Sequence, residues 1–537
     1  MTVGVSKKNS DFKTEVTAIL YLGAIFCWTV YCVFHNKGIF SLWAYGDAQM
    51  LNAGIHFARD GYFVNHFLPQ INPGLPHSLV ENNGSNGRYF HYPALHALVV
   101  GAIVRLVDLI RGHSITSLEE IKNFVQVTFA FISVFSFYLN FLWLKKFVSN
   151  ILSLLGLVAI TTSGFYTNFG ISLCDQPLHY FFFSTNLILI SKLLDQPKCH
   201  IFLNRRLNWI IYINLFFATR NSVETPIVIV TLNSAAIIIN GNKFDTSYVK
   251  WILKFLVTPA TFAILVQFVQ SRLEYATFTD FYDHWREVSG KRFPLVEIGD
   301  LSLILQIFDR YPMPYLSLLL FCVITLLFIR QGSRITRASK TIAESIILAY
   351  ILGLTTLTFV IPRQMFYMNH YTLYYFNFAI VVGTIILINY LQKLKYASAL
   401  TVLCIEIISL SSSGHSALAL REDPKFLEFK SVFELKSQRW WGGSNESWSS
   451  IPLLKPQFFD AVAEYTQSDD LIVLPDKFRG NTVGESNSVV EFYIQRHAIT
   501  TLDNVQAECE DLIEKVPGVK RIHTFDETLT KLTSETC

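Results

Sequence analysis

Apolar residues come in long blocks along this chain, and the polar residues gather in short intervals between them. The first block runs from Val16 to Phe34. Others follow at 93–110, 124–144, 151–168, 178–195, 207–219, 225–240, 251–270, 313–330, 343–361, 371–390 and 397–411. Most reach about 16 to 22 residues, long enough for a helix to cross the hydrocarbon core of a bilayer. The pattern predicts a polytopic α-helical membrane protein of about 11 spans. Only the stretch after Ser412 changes character. There "PQFFDAVAEYTQSDD" reads as an amphipathic helix followed by a short strand at Leu471 to Leu474. A helix around Ser488 to Arg496, a strand near Ala498 to Thr500, a helix from Val505 to Val516 and a strand at Lys520 to Phe525 complete an alternating series. Alternation on this scale predicts a small α/β domain. The expected division is a membrane domain over 1–411, with 35–92 as its first extracytoplasmic loop, and a soluble extracytoplasmic domain over 412–537.

Charge sets the expected orientation. Lys7, Lys8 and Lys13 precede the first block, which is too long for a signal-peptide core and has no small-residue cleavage site after it. It reads as a retained span with a cytoplasmic N-terminus, which puts Asp47 on the far side. Basic loops recur at Lys192 to Arg206, Lys243 to Lys250, Arg330 to Lys340 and Lys393 to Lys395. Placing them in the cytoplasm leaves Asp175, Thr219 to Glu224, the 271–312 segment, Pro362 to Tyr371 and the tail outside. Asp47 and Asp175 share a face only if an even number of spans separates them, yet three apolar blocks intervene. One of 93–110, 124–144 and 151–168 therefore does not span. Arg105 and Asp108 interrupt the first, and the last runs into the polar stretch "TTSGFYTN", so the sequence leaves the choice open.

Composition narrows the class further. The chain has 537 residues, 51% of them hydrophobic and 16% charged, against about a quarter charged in soluble proteins. The formal net charge of +3 rests on short loops, not on a basic patch, which excludes nucleic acid as a partner. The eight cysteines show no metal-ligand spacing. Cys27, Cys32, Cys322 and Cys404 fall in apolar blocks and read as small buried hydrophobes, while Cys509 and Cys537 could form a disulfide.

The first loop holds the densest chemistry: "YGDAQMLNAGIHFARDGYFVNHFLPQINPG", then "GRYFHYPALHALVV". Asp47 can cap a helix from Ala48 to Arg59, whose Leu51, Ile55 and Ala58 share a face and which stops at Gly61. Asp175, two residues before Pro177 in "LCDQPLHYFFF", has the same capping reading. The other reading of both is chemical, because carboxylates at a membrane boundary are costly and tend to serve a purpose. Desolvation there would move them towards a general-base range.

"GDAQMLNAGIHFARDGYFVNH" followed by "YFHYPALHALVVGAIVRL" resembles the first extracytoplasmic loop of GT-C type glycosyltransferases. The style is nearest the protein O-mannosyltransferases, the aminoarabinose transferases and related bacterial families. "CDQPLHYFFF" is similar to a second landmark of that group, an Asp followed by Pro and several Phe. The resemblance covers roughly 16–240 and, in architecture only, the rest. It implies a GT-C-like bundle and an inverting transfer of a sugar from a polyprenyl- or dolichyl-phosphate donor to a glycan, lipid or protein acceptor. In that frame Asp47 is the general base and Asp175 orients the base or the acceptor. The departing lipid phosphate needs cations, for which Arg88, His91, Arg220, Arg363 and His370 are candidates. The plain alternative for each cation is an interfacial side chain snorkelling to the headgroups.

The group often carries an adjacent acidic pair after its first span, but here Asp47 is followed by Ala48, so no required metal and no cofactor are expected. Residues 271–312, with His284, Trp285, Arg286, Lys291 and Arg292, read as an interfacial amphipathic helix over the donor's entry path. Sequons stand at Asn83 and Asn445. The implied home is a bacterial inner membrane, or the endoplasmic reticulum in a eukaryote. The competing class is a non-catalytic flippase, transporter or accessory protein for lipid-linked glycans, which would not require Asp47 and Asp175 to converge.

Overall fold

The computed structural model describes residues 2–35, 44–70, 94–161, 170–196, 204–241 and 246–292, a few single positions excepted, with isolated positions between 301 and 385 and parts of 462–535. The helices are α1 (Thr2–His35), α2 (Ala44–Asp60), α3 (Leu95–Arg111), α4 (Leu118–Leu144), α5 (Asn150–Thr161) and α6 (Gln176–Leu194). They continue as α7 (Arg205–Asn221), α8 (Glu224–Gly241), α9 (Thr246–Arg272, with a π turn at Leu253–Val257) and α10 (Phe278–Arg292). Among the described residues, Phe12–His35, Leu118–Leu144 and Thr246–Arg272 are long and apolar enough to cross a membrane, which marks a mostly helical membrane protein. The apolar blocks expected from 313 to 411 lie almost entirely outside the described residues.

Polar contacts at the helix ends show how the bundle is strung. Lys145 at the end of α4 reaches Glu15 near the start of α1 at 2.6 Å, and the ring of Phe34 meets Phe124 at the other end, so α1 and α4 are antiparallel. Pairs Phe137–Tyr180, Trp143–Ser191 and Lys146–Asp195 make α4 and α6 parallel. The chain between them must therefore return. It passes through α5, whose Thr161 bonds Tyr21 at 2.8 Å, and reaches Gly170, whose carbonyl accepts from Ser133. Asn214 donates to the Phe182 carbonyl and Asn221 to that of Asp175, which makes α7 antiparallel to α6.

These directions bear on the span count that the sequence leaves open. The last residue of α3, Arg111, pairs with Glu120 and lies 5.2 Å over the Phe124 ring, both at the start of α4. The first turn of α3 holds His96, which senses Asp175 and His179. Both ends of α3 thus lie at the Asp47 end of the bundle. Its polar interruptions, Arg105, Asp108 and Arg111, suit a helix lying across a face.

α3 packs on α2 by close backbone approach. A Cβ built on Gly54 would lie 2.8 Å from Val100 Cβ, and one on Gly101 would lie 2.7 Å from Phe57 Cβ and 3.1 Å from the Gly54 carbonyl. Two glycines at one crossing let the helices sit closer than side chains permit. Elsewhere buried amides tie helices together. Asn186 and Asn233 exchange hydrogen bonds of 3.0 and 2.8 Å between α6 and α8, and Trp251 donates to Asn208 at 3.0 Å. Each such bond is worth about 0.6 kcal/mol in a helical membrane bundle. Of the two cysteines in α1, Cys32 is buried as expected but Cys27 faces outward, where lipid suits a thiol equally well.

In the tail, β1 (Leu471–Leu474), β2 (His497–Thr500), β3 (Ile522–Phe525) and β4 (Leu532–Glu535) form one sheet in the order β2-β1-β3-β4. β1 is parallel to β2 and β3, and β4 is antiparallel to β3. The first three occupy places where the sequence predicts strands; β4, in the polar stretch "LTSE", is an addition. Asp470, fully buried before β1, accepts from Arg521 (3.1 Å) and contacts His523 Nε2 (2.9 Å), which locks β1 to β3.

Candidate active site

The Asp47 end of the bundle gathers α2, α3, the 170–175 turn, the start of α6, the end of α7 and the start of α8. Asp47 is completely buried and is not a cap, since α2 begins at Ala44 and the carboxylate lies within the first turn. Its Oδ1 accepts from the Leu173 amide at 2.8 Å and lies 2.9 Å from the Ser172 hydroxyl, which can give its one proton to Asp47 or to Gln176 Oε1 at 3.0 Å. A buried carboxylate held by charge-assisted bonds from a turn more than a hundred residues away is an expensive arrangement to build by accident.

Asp175 does stand at the N-cap position of α6, but its side chain makes no capping bond. Asp175 Oδ2 lies 3.0 Å from His179 Nε2 one turn on, and Oδ1 makes no hydrogen bond with a described residue. Glu224, the first residue of α8, completes a buried cluster: ligand atoms of Asp175, His179 and Glu224 all lie within 4.8 Å of one another. Both capping readings are therefore corrected. Pro177 and the α2 backbone start these helices without the carboxylates, which turn to other partners.

The cluster bears on the expectation of no metal. Two carboxylates and an imidazole are the donor set of zinc, manganese or magnesium sites, and ligands of one ion bound at ~2.1 Å stand about 3 to 4 Å apart. With Asp175 Oδ1 buried and unbonded among the described residues, the three side chains fit a divalent cation. The signal in sequence was the Asp175–His179 spacing, which puts both on one helical face. Glu224, fifty residues on, carried none.

Cys174, between the two acids, is a buried free thiol. Burial, then the carboxylates of Asp47 and Asp175, push its pKa well above the usual thiol range, so it is an inert neutral group at neutral pH. Both carboxylates lie within electrostatic range of the same sulfur. His96 is depressed to about 4 by burial, with a further push from His179, against opposing contributions from Asp175 and Asn221. It is therefore a neutral imidazole, and its Nδ1 has no partner among the described residues.

Two buried cations border the site. Lys122 is buried at the start of α4, paired with Glu119 at 2.7 Å and in electrostatic range of Asp47. Nothing in its sequence position distinguished it. Arg220, a sequence candidate, ends α7. It does not snorkel outward: it is buried, gives Nη2 to Gln270 Oε1 at 2.7 Å, and leaves Nη1 without a partner among the described residues. Arg88, His91, Arg363 and His370 lie outside the described residues, as do Cys509, Cys537 and both sequons.

No family model matches the chain, and no curated protein matches it. Among solved structures, the oligosaccharyltransferase of Archaeoglobus fulgidus is similar, in a crystal structure tethered by a disulfide to an acceptor peptide containing the NVT sequon. That match has a TM-score of 0.48 and 11% identity, and covers 94% of this chain and 68% of the other. The same enzyme in complex with Zn and sulfate matches with a TM-score of 0.48 and 12% identity, over 94% of this chain and 67% of the other. At that level the fold and site of this chain rest on its own geometry.

Proposed function

We propose that this protein is a GT-C type integral-membrane glycosyltransferase that moves a sugar from a polyprenyl- or dolichyl-phosphate carrier to an acceptor hydroxyl or amide. The observation that carries the reading is convergence: Asp47, from the first loop, is bonded by Leu173 two residues before Asp175. Two buried carboxylates tied together through the one 172–175 turn suit acid–base chemistry at a site, and this convergence favours the enzyme over the flippase or accessory reading. Asp47 acts as the base, oriented by Ser172 and Leu173 so that the acceptor proton meets a fixed oxygen. Asp175, His179 and Glu224 would hold a divalent cation, which would supply positive charge for the departing phosphate. Arg220 adds a permanent charge whose Nη1 is uncommitted among the described residues.

A strain lacking the gene, analysed by mass spectrometry of its surface glycans and glycolipids, tests this. One glycan short by a single sugar is expected, restored by the wild-type gene and not by Asp47→Asn. An unchanged glycan profile would refute the proposal.

A further inference from the structure

The turn that closes α2 is built to present apolar side chains outward. It runs from Gly61 to Leu68, and both His66 (φ 48°) and Phe67 (φ 58°) adopt the left-handed backbone that non-glycine residues avoid. Internal bonds hold it: Asn65 Nδ2 to the Gly61 carbonyl at 3.0 Å, the Phe67 amide to Tyr62 at 3.0 Å and the Leu68 amide to Asn65 at 2.8 Å. The ring of Tyr62 stacks on Phe57 of α2 at 5.3 Å. On the far side the turn is fastened to the end of α9, where His66 Nδ1 meets Glu274 Oε1 at 2.6 Å. Leu68 is buried with Tyr275 and Phe281, against Phe268 and Trp285. Held so firmly, the turn leaves Phe63 81% and Val64 62% exposed.

An exposed phenylalanine on a rigid turn is unfavourable in water, so its surroundings decide what covers it. Among the described residues, exposed apolar side chains continue from the turn onto neighbouring helices, with Thr277, Thr279, Asp280 and Asp283 exposed among those at the start of α10. Along α9, a helix long and apolar enough to span, Phe262, Leu265, Val269 and Leu273 are all exposed at spacings of three and four residues. Beyond Leu273 the stripe continues onto Phe278 and Tyr282 of α10. The His66–Glu274 contact places Phe63 and Val64 beside that end of the stripe.

We infer that the Phe63–Val64 turn, with Phe278 and Tyr282, enters the lipid bilayer at its headgroup boundary, as a continuation of the lipid-facing surface of α9. The partner is a lipid surface, not another protein. The turn directly follows the helix that carries Asp47, so the contact fixes the depth of the site below the membrane surface. This inference stands apart from the proposed chemistry and fails or holds without it.

Photocrosslinking tests it. A photoreactive benzoylphenylalanine replaces Phe63 in the full chain, reconstituted in nanodiscs of phosphatidylethanolamine and phosphatidylglycerol. The same group at Tyr465, an exposed residue of the tail, serves as control. After irradiation, mass spectrometry should find a phospholipid adduct on the peptide containing position 63 and none at 465. Consumption of the benzophenone at 63 without a lipid adduct would overturn the inference, as would an adduct to a second protein in native membranes. Because Phe63 is so exposed, the substituted protein should melt with the parent. A variant that fails to fold would place Phe63 inside the protein and also overturn it.

Discussion

Replacing Gly101 by alanine sets two opposed effects against each other. In a helix interior the change gains about 1 kcal/mol of intrinsic propensity. Against this, the new methyl would lie 2.7 Å from Phe57 Cβ, 3.1 Å from the Gly54 carbonyl and 3.2 Å from the Tyr62 hydroxyl. Two of these neighbours cannot swing aside: one is backbone, and the other is the Cβ of a completely buried Phe57. Overpacking of this kind costs about 1 to 3 kcal/mol as α2 and α3 are forced apart, which offsets or outweighs the propensity gain. Separation also moves Asp47 relative to Leu173, so transfer activity should fall further than stability does. The assay is thermal unfolding in detergent beside Gly23→Ala on α1, where a Cβ would meet nothing within 4 Å and only propensity acts. Gly101→Ala should melt measurably below that control and no higher than the parent. If it melts with the control, the close crossing of α2 and α3 is wrong.

Other consequences are equally direct. Ser172→Ala removes one of the donors near Asp47 Oδ1, a charge-assisted bond worth about 1.5 to 3 kcal/mol, so turnover should drop at least tenfold with the donor KM little changed. Metal content of the purified protein, measured by mass spectrometry, should approach one divalent ion per chain and fall sharply in His179→Ala and Glu224→Ala. His96 has a folded pKa near 4 against an ordinary 6.5, so the unfolded chain binds the extra proton between those values. Stability should therefore decline as pH drops from about 6.5 to about 4, by roughly 3 kcal/mol from this group. His96→Gln should flatten the melting curve over that window.

How much of this was legible in the sequence differs from residue to residue. The apolar blocks at 16–34, 124–144 and 251–270 fall in helices long and apolar enough to cross a bilayer, because length and hydropathy are legible in sequence. They did not set α3 apart, although both its ends lie at one end of the bundle, since a helix lying on an apolar surface needs the same Leu and Val content. Only Arg105, Asp108 and Arg111 hinted at the difference. Asp47 and Asp175 stood out through their flanking residues, but their neighbours suggested caps: an amphipathic run ending at Gly61 follows the first, and Pro177 stands two residues after the second. A tertiary contact from Leu173 turned Asp47 away from that role, and His179, one turn along the same helix, did so for Asp175. Glu224 and Lys122 could not be found in advance. Each is an ordinary charge near a helix start, and its burial depends on elements distant in the chain. β4 was missed for a related reason: as an antiparallel edge strand of mixed polarity it lacks the apolar run of β1.

The claim at the centre of this account is that Asp47 is the base of a sugar transfer. Its most direct test is transfer of labelled sugar from a polyprenyl-phosphate donor by purified protein in proteoliposomes, wild type against Asp47→Asn. An asparagine keeps an oxygen for Ser172 and Leu173, so the variant should fold and elute as the parent does. General-base catalysis contributes about 10² to 10⁴ in rate, and a loss of that size is predicted. Transfer at the wild-type rate by a folded Asp47→Asn protein would contradict the account.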